Sequence, residues 1–376
     1  MHFLVIGHVV HKFSQGQFFA YGPYVREMNR WFTFADQVTV VSPVNFSLSP
    51  DPIDLPYIHQ KLQVVSVPEV NLLSAKSLFR SILNIPLILF RIGKAMRKAD
   101  HIQLRCPGNY GLLGAIVQVF FPGKMKSAKY AGNWDRNAPK PFTYKLQQNI
   151  LSSTFWSKNM TVLVYGNWPN ESKNIKPFFT ASYSNQEISP VLKKGLSERE
   201  LIRLIFVGGL VSGKNPILAA EVVLHLKKKG YKARLDMYGE GAERSKLEEF
   251  IQSNQLDHEI QLKGNVPSDK VKEAFKESHF LIFISNSEGW PKVVAESMFW
   301  GCVPVTTRVS CVPQMLGEGE RGVLIDKNSE KASEEVIRLV KKPEKYHLMS
   351  DKAANWSRQY TLENFEEEIG KIIKTR

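Results

Sequence analysis

Short apolar runs alternate with longer stretches of mixed polarity along almost the whole chain. In the first half these runs are FLVIG (3–7), QVTVVSP (37–43), LQVVSVP (62–68), HIQLRC (101–106), KYAGNW (129–134) and MTVLVYG (160–166). Stretches with helical periodicity separate most of them, and YVREMNRWF follows a loop rich in Gly and Gln. Short β-rich runs that alternate with helices predict a parallel sheet covered by helices on both faces.

The second half repeats this pattern more clearly. Its predicted strands are LIRLIFVGGL (201–210), ARLDMYGEG (233–241), IQLKGNV, HFLIFIS (279–285) and CVPVTTRV. The intervening helices include NPILAAEVVLHLKKKG, which is expected to end at Gly230, and SDKVKEAFKES, which is expected to be capped by Ser268. The order of elements predicts a second doubly wound domain.

A polar segment with Pro and Gly, SNQEISPVLKKGLSERE, marks the expected domain boundary near 185–200. We predict domains at 1–190 and 191–355 and a C-terminal helix at 356–376 that packs back on the first domain. The longest apolar runs, 85–90 and 110–121, are shorter than the roughly 18 residues of a membrane-spanning helix. Because ligands bind beyond the carboxyl ends of strands in such sheets, function is expected in the loops after strands.

The net charge of +14 is unevenly distributed between the two halves. Residues 1–190 hold 20 Lys/Arg and 9 Asp/Glu, a net +11, and residues 191–376 carry the remaining +3. Basic residues cluster at 75–100 and 122–145, the first interleaved with bulky apolar residues as in an interfacial helix. These clusters have three possible explanations. They form a solvated basic face, they attract anionic lipid headgroups or phosphates, or they bind nucleic acid. No nucleic-acid-binding motif is present, so we favour the membrane surface.

Three cysteines without metal-ligand spacing, and an N-terminus that reads as a strand, predict a protein of the reducing cytoplasm. No metal site is visible in the sequence, and none is expected.

The loop FVGGLVSGKNP (206–216) lies between a predicted strand and a predicted helix. Its glycines, Gly208 and Gly209 among them, allow close backbone approach, and Lys214 lies near the helix start. Backbone amides, the helix dipole and a lysine together suit a phosphate group. A plain strand-to-helix turn with an exposed lysine is the alternative.

The segment SNSEGWPKVVAES (285–297) also follows a strand and carries Glu288 and Glu296. Pro291 suits the first position of a helix, which would leave the amides of residues 289–293 available to an anion. Separately, each glutamate is explained as a capping residue or an exposed helix charge. Together they predict a clamp for hydroxyl groups on either side of a diphosphate.

These segments resemble the donor half of the large retaining glycosyltransferase family, family four, which has the GT-B fold. Two further stretches carry the resemblance: YGEGAERSKLEEF and IQLKGNVPSDKVKEAFKESHFLIFISNSEGWPKVVAESMFWGCVPVTT. The resemblance covers about residues 203–326, and the first half is similar more loosely through FFAYGPYVREMNRW, QLRCPGNYGLLGA and KYAGNWDRN. It implies two Rossmann-like domains that face each other across a cleft, with the acceptor bound by the first and the donor by the second. The chain is similar to members that build bacterial surface polysaccharides.

The resemblance also implies roles for matching residues. Glu288 would bind donor-sugar hydroxyls and Glu296 the ribose, and Lys214 would bind the diphosphate, so Glu288 and Lys214 are the expected catalytic residues. Supporting contacts are implied for the amides of Gly289, Trp290 and Pro291, for Gly208, Gly209 and Lys292, for the base-binding loop of Gly264, Asn265 and Val266, and for Gly22.

Two departures from the family pattern stand out. Gly209 occupies a position where the family usually has arginine, and Pro23 one where a second glycine is common. Lys292, Arg308, Arg105 and Arg136 are candidates to replace the missing cation, and a protein without full activity is the alternative. Arg105, Asp135 and Arg136 are also the expected acceptor-side residues, with a simple loop turn as the alternative for the last two.

The implied reaction is the transfer of a sugar, with retention, from a UDP- or GDP-linked donor to a hydroxyl of a saccharide or a lipid-linked saccharide. No cofactor or metal is implied beyond the donor as co-substrate, and the anionic inner face of the cytoplasmic membrane is an expected partner. Three alternatives remain: a nucleotide-sugar epimerase, a binding scaffold without turnover, and, from charge alone, a nucleic-acid-binding protein.

Overall fold

The computed structural model describes residues 1–70 and 75–374, with only the backbone given for 75–78 and 80. Residues 375 and 376 of the predicted C-terminal segment therefore lie outside the described residues. The chain divides into two compact units: the first comprises Met1–Phe178 and Glu366–Arg376, and the second comprises Phe179–Phe365. The division thus falls before the predicted boundary near 185–200.

The first unit is built on one sheet of ten strands among its described residues. The strands are β1 (His2–Ile6), β2 (His11–Ser14), β3 (Gln17–Tyr21), β4 (Gln37–Asn45), β5 (Asp54–Pro56), β6 (Leu62–Val67), β7 (His101–Cys106), β8 (Met125–Tyr130), β9 (Met160–Tyr165) and β10 (Ile175–Phe178). Their order is β10-β9-β8-β7-β1-β4-β2-β3-β5, and β6 pairs with β4. The strand pairs from β10 to β4 are parallel, as the alternation of runs predicted.

In the part of the chain that the structure describes, four α-helices connect these strands: α1 (Gly22–Phe32), α2 (Ala75–Lys98), α3 (Asn109–Val117) and α4 (Phe142–Ser152). Helix α1 buries one face against the sheet through residues that include Val25, Met28 and Trp31. Helix α2 ends beside Lys124, whose ammonium donates to the carbonyl oxygens of Arg97 and Ala99 and so satisfies the helix C-terminus.

Two features of the first unit differ from the sequence-based expectation. The Gly/Gln-rich loop after β1 is a β-hairpin, because Gln15 and Gly16 both adopt positive φ and form a two-residue turn between β2 and β3. The strand expected at 129–134 lies at Met125–Tyr130. Its lysines are buried: Lys126 donates to the carbonyl oxygen of Phe121 at 3.0 Å, and burial lowers its pKa to about 8.

The second unit contains a six-stranded sheet in which neighbouring strands pair in parallel, within the described part of the chain. Its strands are β11 (Ile202–Val207), β12 (Ala233–Tyr238), β13 (Ile260–Gly264), β14 (Phe280–Phe283), β15 (Val303–Thr307) and β16 (Val323–Ile325). Its helices are α5 (Pro216–Lys228), α6 (Arg244–Ser253), α7 (Ser268–Glu277), α8 (Lys292–Phe299), α9 (Val312–Met315), α10 (Ser329–Val340) and α11 (Pro343–Ser357). The strand order β13-β12-β11-β14-β15-β16 confirms the predicted doubly wound arrangement.

Two helix starts in this unit differ by one residue from the sequence-based expectation. Ser268 is the first residue of α7 rather than its cap, because Pro267 takes the cap position without a side-chain hydrogen bond. Pro291 likewise precedes α8, with φ −72° and ψ 94°, instead of opening it. A residue before the helix has extended backbone geometry, which proline also accommodates.

Helix α12 (Leu362–Lys374) begins in the second unit and ends in the first. In the first unit Ile369 is fully buried, and Glu366 forms an ion pair with Arg30 of α1. The last turns of this helix are therefore part of the first unit's structure. In the described residues, no helix has the combination of length and apolar character needed to span a membrane.

Candidate functional site

The loops that follow β11 and β14 meet where the strand order of the second sheet reverses. The chain runs from β11 outward to β12 and β13 and then returns to place β14 on the other side of β11. Such a reversal leaves a crevice beyond the carboxyl ends of the two adjacent strands, where ligands bind in open α/β sheets. The two segments selected from the sequence, 206–216 and 285–297, therefore lie at a single place.

Lys214 and Glu288 form the charged centre of this place. The Lys214 ammonium makes an ion pair with Oε1 of Glu288, and the Ser285 hydroxyl donates to the same oxygen at 2.6 Å. Nζ of Lys214 lies 4.9 Å from the centroid of the Phe283 ring. The side chain of Glu288 is 10% exposed and that of Lys214 is 28% exposed. The cation assigned to a diphosphate and the carboxylate assigned to sugar hydroxyls are thus in direct contact.

Hydrogen bonds between the two loops fix this contact. The amide of Asn286 donates to the carbonyl oxygen of Gly213 at 2.9 Å, and Nδ2 of Asn215 donates to the carbonyl oxygen of Ile284 at 2.8 Å. The Thr307 hydroxyl at the end of β15 donates to the carbonyl oxygen of Ser285 at 2.6 Å. Lys214 and Glu288 are therefore carried by loops that are tied to each other and to a third strand.

Glycines allow the loops after β11, β12 and β13 to approach closely. A Cβ at Gly239 would lie 2.0 Å from the carbonyl oxygen of Gly208, so no larger residue fits there. The amide of Gly239 donates to the carbonyl oxygen of Gly264 at 2.9 Å. The expected base-binding loop of Gly264, Asn265 and Val266 therefore begins beside Gly239, which in turn packs on the loop after β11.

Gly209 is exposed, and a Cβ there would make only ordinary van der Waals contacts. A Cβ at this position would meet no atom closer than 3.8 Å. The backbone at Gly209 therefore accepts a residue with a Cβ without a clash, and the family usually has arginine there. Of the proposed substitutes in the second unit, Arg308 is exposed and lies 3.8 Å from a carboxylate oxygen of Glu318, and Lys292 is the first residue of α8.

The start of α8 supplies different amides from those expected. Proline has no N–H, so Pro291 cannot donate as the resemblance implied. The first helical hydrogen bond runs from the amide of Val294 to the carbonyl oxygen of Pro291. The amides that open the helix are therefore those of Lys292 and Val293, preceded by those of Gly289 and Trp290.

Glu296 has surroundings distinct from those of Glu288. Its Oε1 accepts a hydrogen bond from the Ser182 hydroxyl at 2.5 Å, and it lines a small cavity with Tyr183, Lys292 and Tyr360. Burial raises the pKa of Glu296, against the lowering effects of the Ser182 hydrogen bond and the Lys292 charge. The sequence did not suggest Ser182, because it lies 114 positions away in the chain.

The acceptor-side candidates lie in the first unit. Arg105, at the carboxyl end of β7, is buried, and its guanidinium donates to Glu27 at 2.6 Å. The ammonium of Lys129 lies 2.9 Å from the same carboxylate oxygen. Two cations thus share one buried carboxylate at the carboxyl end of the sheet, an arrangement that the sequence analysis missed because Lys129 was taken as part of an exposed basic cluster.

The remaining candidates have structural partners. Oδ1 of Asp135 accepts from the amide of Asn137 at 2.9 Å, as in a loop turn, and Arg136 is ion-paired with Glu171 at 2.8 Å. Gly22 is the first residue of α1. A Cβ there would lie 2.4 Å from the carbonyl oxygen of Ile53, so close backbone packing explains why this residue is glycine. Among the described residues, no group of three or more His, Cys, Asp or Glu side chains is placed to hold a metal ion.

Comparison with known proteins shows what most of the second unit is similar to. Residues 191–356 match the sequence model of the family described as glycosyl transferases group 1. An uncharacterized glycosyltransferase of Methanocaldococcus jannaschii is 25% identical over 171 residues, which are 45% of this chain and 47% of the relative. The poly(glycerol-phosphate) alpha-glucosyltransferase of Bacillus subtilis is 26% identical over 205 residues, 53% of this chain and 30% of that relative. The chain therefore spans less than half the length of either relative.

Solved structures match over almost the whole chain. Sucrose-phosphate synthase of Thermosynechococcus elongatus superposes with a TM-score of 0.70 at 14% identity, covering 99% of this chain and 98% of the other. HepE of Anabaena, in complex with UDP and glucose, superposes with a TM-score of 0.67 at 13% identity and covers 99% of both chains. These matches confirm the predicted GT-B fold. Residues 191–356 are thus similar in sequence to the glycosyl transferases of group 1.

Proposed function

We propose that this protein transfers a sugar from a nucleoside diphosphate sugar to an acceptor hydroxyl, with retention of configuration at the anomeric carbon. The observation that carries the proposal is the contact between Lys214 and Glu288 at the strand reversal, beside the start of α8. HepE, a protein of the same fold, was solved with UDP and glucose bound, which supports a donor of this class.

The leaving group of this reaction is a nucleoside diphosphate, on which negative charge grows in the transition state. Lys214 supplies a full positive charge, and the amides that open α8 supply partial positive charge. Glu288 accepts hydrogen bonds from sugar hydroxyls, and its ion pair with Lys214 positions the ammonium before the donor binds. Glu296 would exchange its hydrogen bond from Ser182 for one from a ribose hydroxyl.

The acceptor is proposed to be a saccharide carried on a lipid, in the assembly of a bacterial surface polysaccharide. The name of the Bacillus subtilis relative describes glucosyl transfer to a poly(glycerol-phosphate) polymer. Helix α2 supports a place at an anionic membrane, because it exposes an apolar stripe of Phe79, Ile82, Leu83, Leu87 and Phe90 and ends in Arg97 and Lys98. We call these five residues the α2 stripe.

The donor site is tested by calorimetric titration of UDP- and GDP-linked sugars into the protein and into the Lys214→Ala and Glu288→Ala variants. A hydrogen bond to a charged group contributes about 1.5–3 kcal/mol, so each variant is expected to bind the best donor about tenfold or more weakly. Lys228→Ala, an exposed lysine of α5 outside the site, is the matched control and should bind as the unaltered protein does.

Equal donor affinity in all four proteins would show that the site lies elsewhere. Turnover is then measured by release of the nucleoside diphosphate, with and without lipid-linked saccharide acceptors, and by analysis of the product. Conversion of the donor sugar without acceptor would identify an epimerase. Donor binding without turnover on any acceptor would favour a binding scaffold. The observation that favours this alternative is the glycine at position 209, where the family usually has arginine.

A further inference from the structure

A groove runs between helix α2 and strand β6 in the first unit. Its volume is about 660 Å³, within the roughly 300–1,000 Å³ of small-molecule sites. Apolar side chains that line it include Val65 of β6 and Leu87, Phe90 and Ala95 of α2. His2 and Thr39 lie at its end near the amino ends of β1 and β4, where their side chains hydrogen-bond to each other at 2.8 Å. The groove is thus away from the carboxyl ends of the strands, where Arg105 lies.

The charge of the groove is entirely positive. Arg91, Lys94 and Lys98 line it, and no carboxylate does among the residues that the structure describes. The guanidinium of Arg91 donates to the backbone carbonyl oxygen of Ser66, which leaves its charge uncompensated. In the described part of the chain, Lys94 and Lys98 form no ion pair. An occupant that complements this lining has an apolar body and an anionic end.

The groove is continuous with the α2 stripe on the outer surface. Leu87 and Phe90 belong to both, and their side chains are 41% and 66% exposed. An apolar path therefore leads from the exposed side of α2 into the groove. A helix that lies on a lipid surface through this stripe has the mouth of the groove at that surface.

We propose that this groove binds one anionic lipid molecule of the membrane, with an apolar chain along Val65, Leu87 and Phe90 and its phosphate between Lys94 and Lys98. Chain burial supplies affinity, and the cations select an anionic headgroup over a neutral one. This is a site for a single lipid, distinct from adsorption of α2 to a surface, and it does not require the proposed glycosyl transfer.

The test uses dodecyl phosphate below its critical micelle concentration, titrated into the full chain and followed by calorimetry and native mass spectrometry. We expect one molecule bound per chain. Since a basic residue near an anionic lipid surface contributes about 1 kcal/mol, Lys94→Ala and Lys98→Ala should each weaken binding about fivefold. Gln63→Trp, which places a large side chain at an exposed lining position, should abolish binding. Thermal unfolding confirms that each variant is folded.

Controls separate the alternatives. Lys345→Ala, an exposed lysine of α11, and Leu83→Ser, on the α2 stripe outside the groove, should bind dodecyl phosphate as the unaltered protein does. Inorganic phosphate should not compete, and dodecyl maltoside should bind more weakly. The proposal is overturned if the lysine and Gln63 variants retain full affinity, if inorganic phosphate binds equally well, or if Leu83→Ser abolishes binding. Donor titration with the same variants should be unchanged, so failure here leaves the proposed function untouched.

Discussion

The two glutamates of the candidate site, Glu288 and Glu296, differ in the group that balances their negative charge. Glu288 has an ammonium as its partner, whereas the described hydrogen-bond partner of Glu296 is a hydroxyl. The buried carboxylate of Glu296 is therefore the less compensated of the two, which agrees with its raised pKa. Its ionised form weakens the folded state in the absence of ligand.

Glu296→Gln is expected to raise the melting temperature at pH 7.5 and to leave it unchanged near pH 4. A carboxyl whose pKa is raised by folding holds its proton more tightly in the folded state, so stability falls as pH rises above the unfolded pKa of about 4.3. Glutamine cannot ionise and keeps an oxygen that accepts from Ser182. Thermal unfolding of both proteins across this pH range provides the measurement.

Glu249→Gln is the matched control, because Glu249 is an exposed residue of α6. It should leave the melting temperature unchanged at both pH values. If Glu296→Gln is instead less stable at pH 7.5, attraction between Glu296 and Lys292 outweighs burial, and our account of the carboxylate is wrong.

Gly209→Arg is expected to tighten binding of a nucleoside diphosphate about tenfold, since a hydrogen bond to a charged group contributes about 1.5–3 kcal/mol. A Cβ at this exposed position makes no clash, so the melting temperature without ligand should not fall. Calorimetric titration with UDP and GDP measures the change. Gly209→Gln, a shorter side chain without charge, should show little gain, and equal gains in both variants would argue against a missing cation.

The sequence identified the charged residues of the site but not their partners. Lys214 and Glu288 were selected because each lies in a loop between a strand and a helix, a local pattern that a single sequence displays. Ser182 lies in neither loop, and Ser285 lies in one of them without standing out, since a serine gains its role only from the residue that folding places beside it. The same holds for Glu27 of α1, which forms ion pairs with Arg105 of β7 and Lys129 of β8.

Among the elements, α2 exposes several large apolar side chains, the five of the α2 stripe. Its stripe follows helical spacing, and Ile82 and Leu83 are 53% and 62% exposed. Exposed side chains of this kind, next to basic residues, are typical of helices that lie at a lipid interface. The basic cluster at 122–145 is different, because Lys126 and Lys129 from it are buried in the sheet.

Ile82→Ser with Leu83→Ser is expected to weaken binding to phosphatidylglycerol vesicles about tenfold or more, because burying one such side chain contributes about 1.5–3 kcal/mol. Binding should also weaken as salt rises. Co-sedimentation with vesicles measures both effects. Leu348→Ser, an exposed leucine of α11, is the control and should bind normally. Equal binding to neutral vesicles at low salt would contradict an electrostatic contribution.

Element types were predicted better than element positions. The strand at 101–106 matches residue for residue, because its buried run has clear polar borders. The strand at Met125–Tyr130 was displaced because buried lysines resemble exposed ones in a sequence. The β2–β3 hairpin was missed because its two-residue turn, Gln15–Gly16, was taken as part of a loop.

At the scale of the whole molecule, alternation of strands and helices was sufficient to predict two doubly wound units. It also led us to predict a C-terminal helix that returns to the first domain, but it did not show that the change of unit falls inside α12. A boundary in a linker is visible as a change in composition, whereas a boundary inside an amphipathic helix is not. The assignment of each turn of α12 to a unit depends on the hydrophobic core in which its side chains are buried.

Ile369→Ala tests the assignment of the last turns of α12 to the first unit. Ile369 is fully buried there, so the variant should lose about 2–5 kcal/mol of stability in that unit. Hydrogen exchange should become faster in residues 1–178 and stay unchanged in residues 179–365. Val336→Ala, at a fully buried position of α10, should give the opposite distribution. If Ile369→Ala instead accelerates exchange mainly in residues 179–365, the end of α12 stabilises the second unit, and a C-terminal truncation would be expected to impair donor binding directly.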